Sequence, residues 1–162
     1  MFDANTIRSA IEKQKQMDLK EQEKFMDGVY VKQPNLLGSV LVLRNFGLDM
    51  NDIGTVLSIL MVLLLTLEES GVEIEQISEE QQDKELNTLS ESINFSEGLS
   101  EGMKNQSIKQ YVSGHEEKAM FSYVVGTLDD AGITARTDEK VKYLMMSALN
   151  LVNCISNAKR IA

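Results

Sequence analysis

Residues 53–67 read IGTVLSILMVLLLTL, fifteen consecutive positions without a charge, with Asp49 and Asp52 ahead of them and Glu68 and Glu69 behind. A helix of that length rises about 22 Å at about 1.5 Å per residue. The hydrocarbon core of a bilayer takes about 20 apolar residues to cross, so the uncharged run is short for a span and is bounded abruptly by acids. A helix apolar on nearly every side is one that neighbouring protein covers on nearly every side. The fold class that follows is all-α, a bundle of roughly six helices built around a central apolar helix at about 50–69.

Helix punctuation divides the rest of the chain. The first helix is expected from Asp3 or Asn5 to Asp27, stopping at Gly28, with Val29–Lys32 as an extended linker. Pro34 suits the first turn of a second helix, where its missing N–H costs nothing. That helix carries Leu36, Leu37, Val40, Leu41 and Leu43 and stops at Gly47. Asp49 or Asn51 caps the central helix, which ends at Gly71. Ser78-Glu79-Glu80-Gln81 and Ser113-Gly114-His115-Glu116 both fit the capping box that opens a helix. The stretch 94–102, with Ser96, Gly98, Ser100 and Gly102, reads as a loop before a short helix ending near Val112. The fifth helix stops at Gly132, and Thr137 caps the last, whose inner face runs from Val141 to Ile155. Strand signals are nearly absent: there is no Asn-Gly hairpin and no sustained alternation.

Two pairs of helices share a layout. Leu36, Leu37, Val40 and Leu41 align with Met120, Phe121, Val124 and Val125, and the run from Ile53 to Leu67 aligns with that from Val141 to Ile155. This suggests two pseudo-repeated hairpins, 34–69 and 116–158, in one domain spanning 1–162, with a boundary near 71–102.

On a helical wheel Ile53, Val56, Leu57, Leu60, Met61, Leu64 and Leu67 form an ordinary core face of the central helix. The far side still offers Ile59 and Val62, with Leu63 on the flank and Thr66 among the small hydroxyl residues. A large apolar patch is rarely left in water. Two covers are open to it: the first or fourth helix of the same chain, or a second subunit related by a twofold axis. On the second reading Ile59, Val62, Leu63 and Thr66 are the candidate interface of a homodimer.

Charge narrows the choice of partners. The net charge is −9, and between Gly71 and Gly102 nine acids face a single base, Lys84. Such a stretch repels polyanions and no basic run elsewhere compensates, so nucleic acid is not an expected partner. Glu73, Glu75, Glu79, Glu80 and Asp83 form a candidate acidic docking surface for a basic protein, of the kind an inhibitor, immunity protein or antitoxin presents. The single cysteine, Cys154, lies in an apolar helical stretch and reads as a buried free thiol. The opening residues MFDANTIRSAIEKQKQ have no apolar core of a secretory signal, so the expected location is cytoplasmic, without a membrane partner.

Catalytic chemistry is hard to assemble from these residues. The sole histidine, His115, stands beside Glu116 and Glu117, and neighbours at i+1 and i+2 face different sides of a helix, a poor metal site. It is expected as an exposed helix-start residue. There is no Glu-x-x-His, His-x-x-x-His or Cys-x-x-Cys pair. One Glu-x-x-Asp, Glu80 to Asp83, has no second pair to answer it, so a carboxylate-based metal-dependent hydrolase is the remotest alternative. No Gly-x-Ser-x-Gly or phosphate-cradling loop occurs, and Gly38, Gly54 and Gly126 fall inside helices, where they suggest close crossings. The expectation is a small helical protein, not an enzyme, acting by protein–protein contact without a cofactor, its partner being a second copy or another protein. The alternative is an acidic binder that blocks a basic partner.

Overall fold

The computed structural model describes residues 1–93 and 101–161, with side chains described outside 101–105. Among the described residues the chain is all-helical, with eight α-helices and no strands. In order these are α1 (Ala4–Gln16), α2 (Leu19–Lys32), α3 (Pro34–Leu41), a 3-10 segment (Val42–Phe46), α4 (Met50–Glu69), α5 (Glu79–Ser92), α6 (Glu101–Ser113), α7 (Lys118–Asp130) and α8 (Lys140–Ser156).

Local chemistry sets most of the boundaries. Side-chain oxygens of Asp3, Asp18, Asp49 and Ser78 accept the N–H of the third residue beyond each, capping α1, α2, α4 and α5. Asp18 accounts for the two helices where one was expected, since it starts a new helix after α1 ends at Gln16. The new helix then runs through Gly28 to Lys32, so neither the stop at Gly28 nor the linker 29–32 is present. Gly47 and Gly132 take positive φ, 81° and 75°, and end their segments as glycines without a Cβ penalty. The other two cap expectations are corrected. Ser113 donates to the Gln110 carbonyl, and Thr137 plays no part because α8 starts at Lys140 without a side-chain cap. The loop expected at 94–102 lies outside the described residues as far as position 100.

The bundle is layered around α4. α1 runs antiparallel along one side of it: Ser9 donates to Glu69 (2.9 Å), Lys13 pairs with Glu69 (3.4 Å), and Gln14 Nε2 reaches Ser58 Oγ (2.9 Å) and its carbonyl (3.1 Å). α8 also packs on α4, α5 packs on α8, and α3 and α7 each contact both α4 and α8. α4 is the one helix among the described residues long and apolar enough to cross a membrane by length and composition, yet it is buried from Ile59 through Leu63 and from Leu65 through Leu67.

This arrangement corrects the candidate dimer interface. Ile59, Val62, Leu63 and Thr66 are each fully buried inside the chain. Val62 belongs to a small apolar cluster with Ala10, Met61 and Leu65, closed over by Ile11, Met17, Phe25, Met26 and Tyr123. The covering layer is α1 with the following turn and α2, and Thr66 spends its hydroxyl on the Val62 carbonyl (2.8 Å). None of these four side chains is exposed to offer to a second subunit. The close-crossing reading of Gly38, Gly54 and Gly126 also fails, because a Cβ at any of the three would meet no atom within 4 Å.

Candidate functional site: a groove between α3, α5 and α8

The five acidic candidates all lie exposed, but the structure divides them. Glu73 and Glu75 sit on the extended segment after α4, which bonds antiparallel to the last residues: Glu75 N–H to the Lys159 carbonyl (2.8 Å) and Ile161 N–H to the Glu73 carbonyl (2.9 Å). Lys159 Nζ stands 3.5 Å from Glu75, so this end is locally neutralised. Glu79, Glu80 and Asp83 begin α5 and have no ion pair among the described residues. Glu79 and Asp83 edge a groove.

The groove holds about 610 Å³ between α3 with its 3-10 segment, α5 and α8. Ligand pockets commonly span about 300–1,000 Å³. Its position follows from a chain of amide hydrogen bonds. The buried Gln33 side chain donates to the Glu75 carbonyl (3.0 Å) and accepts the Ile77 N–H (3.0 Å), fixing the segment ahead of α5 against the start of α3. Asn35 donates to the Ile77 carbonyl (2.9 Å), Gln82 to the Asn35 carbonyl (3.0 Å), and Asn150 of α8 to the Gln82 carbonyl (3.3 Å). These bonds hold α5 on α8 while leaving a trench between α5 and α3.

The walls are mostly apolar: Val42, Leu43, Phe46, Leu86, Tyr143, Met146 and Leu151. Gly38 adds width because it carries no side chain. Phe46 and Tyr143 stack at one end with centroids 4.8 Å apart, and both stay more than 40% exposed, as does Val42. Two wall residues hold polar atoms with no hydrogen-bond partner although sealed from solvent, Ser147 Oγ and Asn150 Oδ1. Such atoms carry an unrecovered desolvation cost and are rare in native proteins. Among the described residues no lysine or arginine lines the groove. Cys154 is also in the wall, and burial, with Glu85 assisting, pushes its thiol up to about 12, so it stays protonated and is a poor nucleophile near neutral pH.

His115 is not the exposed helix-start residue expected. Its Nδ1 accepts the Glu117 N–H (2.9 Å), and its Nε2 meets Asn153 Oδ1 (3.1 Å), which fixes the tautomer with the proton on Nε2. Asn153, 3% exposed, also donates to the Tyr111 hydroxyl (2.8 Å), and Phe121 packs edge-on against the imidazole at 4.5 Å. Burial raises the Tyr111 phenol above its ordinary range. The buried carboxylate of Glu117 accepts the Phe2 N–H (3.2 Å) and stands 3.5 Å from the Met1 ammonium, pinning the chain start to α7. This polar cluster ties α6, α7 and α8 together.

Among the described residues, no group of three or more His, Cys, Asp and Glu side chains is placed to hold a metal ion. Glu80 and Asp83 remain exposed on α5, away from any such group. Comparison with known protein families, with characterised proteins and with solved structures gives no match.

Sequence reasoning missed the groove. Periodicity gave no signal for it, because Asn150 falls on the side of the last helix opposite the stripe from Val141 to Ile155, where a polar residue is expected.

Proposed function

We propose that the protein acts by protein–protein contact, without catalysis or cofactor, and that the groove between α3, α5 and α8 is its contact face. What supports the reading is the groove itself: an open apolar trench with exposed Val42, Phe46 and Tyr143 at its lip and unpartnered polar atoms in its wall. Recognition grooves for peptide segments have this make-up, apolar along the length with a few polar groups that fix register. The far face of α4 takes no part, since α1 and α2 cover it. The proposed setting is cytoplasmic, with neither nucleic acid nor membrane as partner.

Gly38 offers a direct test. It lines the groove and a Cβ there would meet nothing within 4 Å, so Gly38→Phe is expected to place its ring in the trench. The partner is isolated by affinity purification from the native host, identified by mass spectrometry, purified, and titrated against both proteins. The expected result is binding to the native chain and a loss of at least tenfold for Gly38→Phe at unchanged helical content. Equal binding to both proteins would place the contact elsewhere.

A further inference from the structure

The groove has one electrostatic sign. Among the described residues its charged wall residues are Glu79 and Asp83, both exposed and one turn apart on the edge formed by α5, and neither has an ion pair there. Two atoms on the α8 side lack a partner, Ser147 Oγ and Asn150 Oδ1; the hydroxyl can donate or accept, whereas the amide oxygen only accepts. The charge on the lining is thus anionic and confined to the α5 edge, while Phe46 and Tyr143 contribute an apolar aromatic stack. An apolar occupant would leave Glu79 and Asp83 partly desolvated with nothing in return, and an anionic one would be repelled.

Resting on the reading of the groove as a protein-contact face, we propose that its occupant is a cationic and otherwise apolar segment of the partner. A lysine or arginine of that segment sits against Glu79 and Asp83, and its apolar side chains lie along Leu86 and Met146 toward Phe46. Arginine fits better than lysine, because its fork can donate to both carboxylates while its flat face covers apolar surface. Met146 supplies an adaptable wall that accepts more than one aliphatic shape. Burial between apolar walls strengthens the ion pairs relative to open surface ones, and salt weakens them to the extent that they remain exposed.

A library of random twelve-residue peptides displayed on phage is selected on the purified full chain, and enriched peptides are synthesised and titrated. The expected result is enrichment of sequences with an arginine or lysine next to two or more large apolar residues. Their affinity should fall about tenfold in the Glu79→Gln, Asp83→Asn double variant, and several-fold between 50 and 300 mM NaCl. Gly38→Phe should abolish it. Enriched peptides that lack a base, or that bind the double variant unchanged, overturn the cationic occupant while leaving the contact face standing, provided Gly38→Phe still blocks them. No enrichment, or enriched peptides indifferent to Gly38→Phe, overturns both. Native mass spectrometry that finds a stoichiometric small molecule, lost in Gly38→Phe, also overturns both, since the trench would then be a metabolite pocket.

Discussion

Arg136 Nη1 lies 2.8 Å from Asp52 Oδ1, joining the loop between α7 and α8 to the first turn of α4 across 84 positions of sequence. The same guanidinium bonds both carboxylate oxygens of Asp138, at 2.9 and 3.1 Å. These bonds hold the Asp138 carboxyl below its ordinary value. A carboxylate whose folded value is depressed adds stability above its unfolded value near 4, and that stability is lost as pH falls through the folded one. Arg136→Ala is therefore expected to cost about 1 kcal/mol at pH 7, in the range of well-formed partly exposed pairs. The difference between the two proteins should shrink steadily below about pH 4. Urea titrations at pH 7, 4 and 2.5 measure it, and a gap that widens toward acid would contradict the assignment.

The buried position of Val62 makes a sharp prediction about the central helix. A carboxylate placed there by Val62→Glu meets Ala10, Met61 and Leu65 with no partner, at a cost of about 4 kcal/mol or more. That is a large part of the whole stability of a typical domain. Circular dichroism and yield should report an unfolded or aggregating chain. A folded protein of unchanged stability would mean that α1 and α2 do not cover this face.

Asn153 serves two partners at once. Asn153→Leu keeps the branched shape, though not the volume, and leaves the Tyr111 hydroxyl and His115 Nε2 without their bonds, so a loss of about 2 kcal/mol is expected. Adding Tyr111→Phe removes one of the orphaned groups, and the double variant should be less destabilised than the two single losses summed. Thermal unfolding of the three variants completes the cycle, and strict additivity would argue against the network.

Two glycines on α7 and just after it should respond in opposite senses. Gly126 is helical, and a methyl group there meets nothing within 4 Å, so Gly126→Ala is expected to stabilise by about 0.5–1 kcal/mol. Gly132 holds φ at 75°, a conformation an alanine adopts only under strain, and Gly132→Ala should destabilise by about 1 kcal/mol. Denaturant midpoints of the two variants on opposite sides of the parent bear this out, and a shift of Gly126→Ala to lower denaturant would show a hidden crossing.

The helical class was legible because apolar periodicity is a property of single segments, and the caps at Asp49 and Ser78 act within three residues. What failed was whatever depends on distant chain. Gln81 could not return the capping bond to Ser78 because its side chain reaches the carbonyl of Asn157 instead, at 3.3 Å. His115 looked exposed because its partner Asn153 is 38 positions away. The far face of α4 looked available because the first helix, sparse in apolar residues, gave little sign that Ala10 and Ile11 would join Met17, Phe25, Met26 and Tyr123 in closing it. The acidic surface was visible as composition, but its division needed the pairing of Glu75 with Lys159, and its link to the groove needed the fold of α5 onto α8.

The antiparallel seat of α1 along α4 also sets an order of events during synthesis. Translation proceeds from the amino terminus, so α1 and α2 leave the ribosome before the oily segment they will enclose, while α7 and α8 arrive only after it. The nascent chain can thus shield one flank of α4 at once, whereas the other waits for roughly seventy further residues, an interval of several seconds at about 5–20 residues per second. During that interval the half-clad helix is a natural client for a chaperone or for the membrane-targeting machinery, and an early α1 tips the contest toward folding.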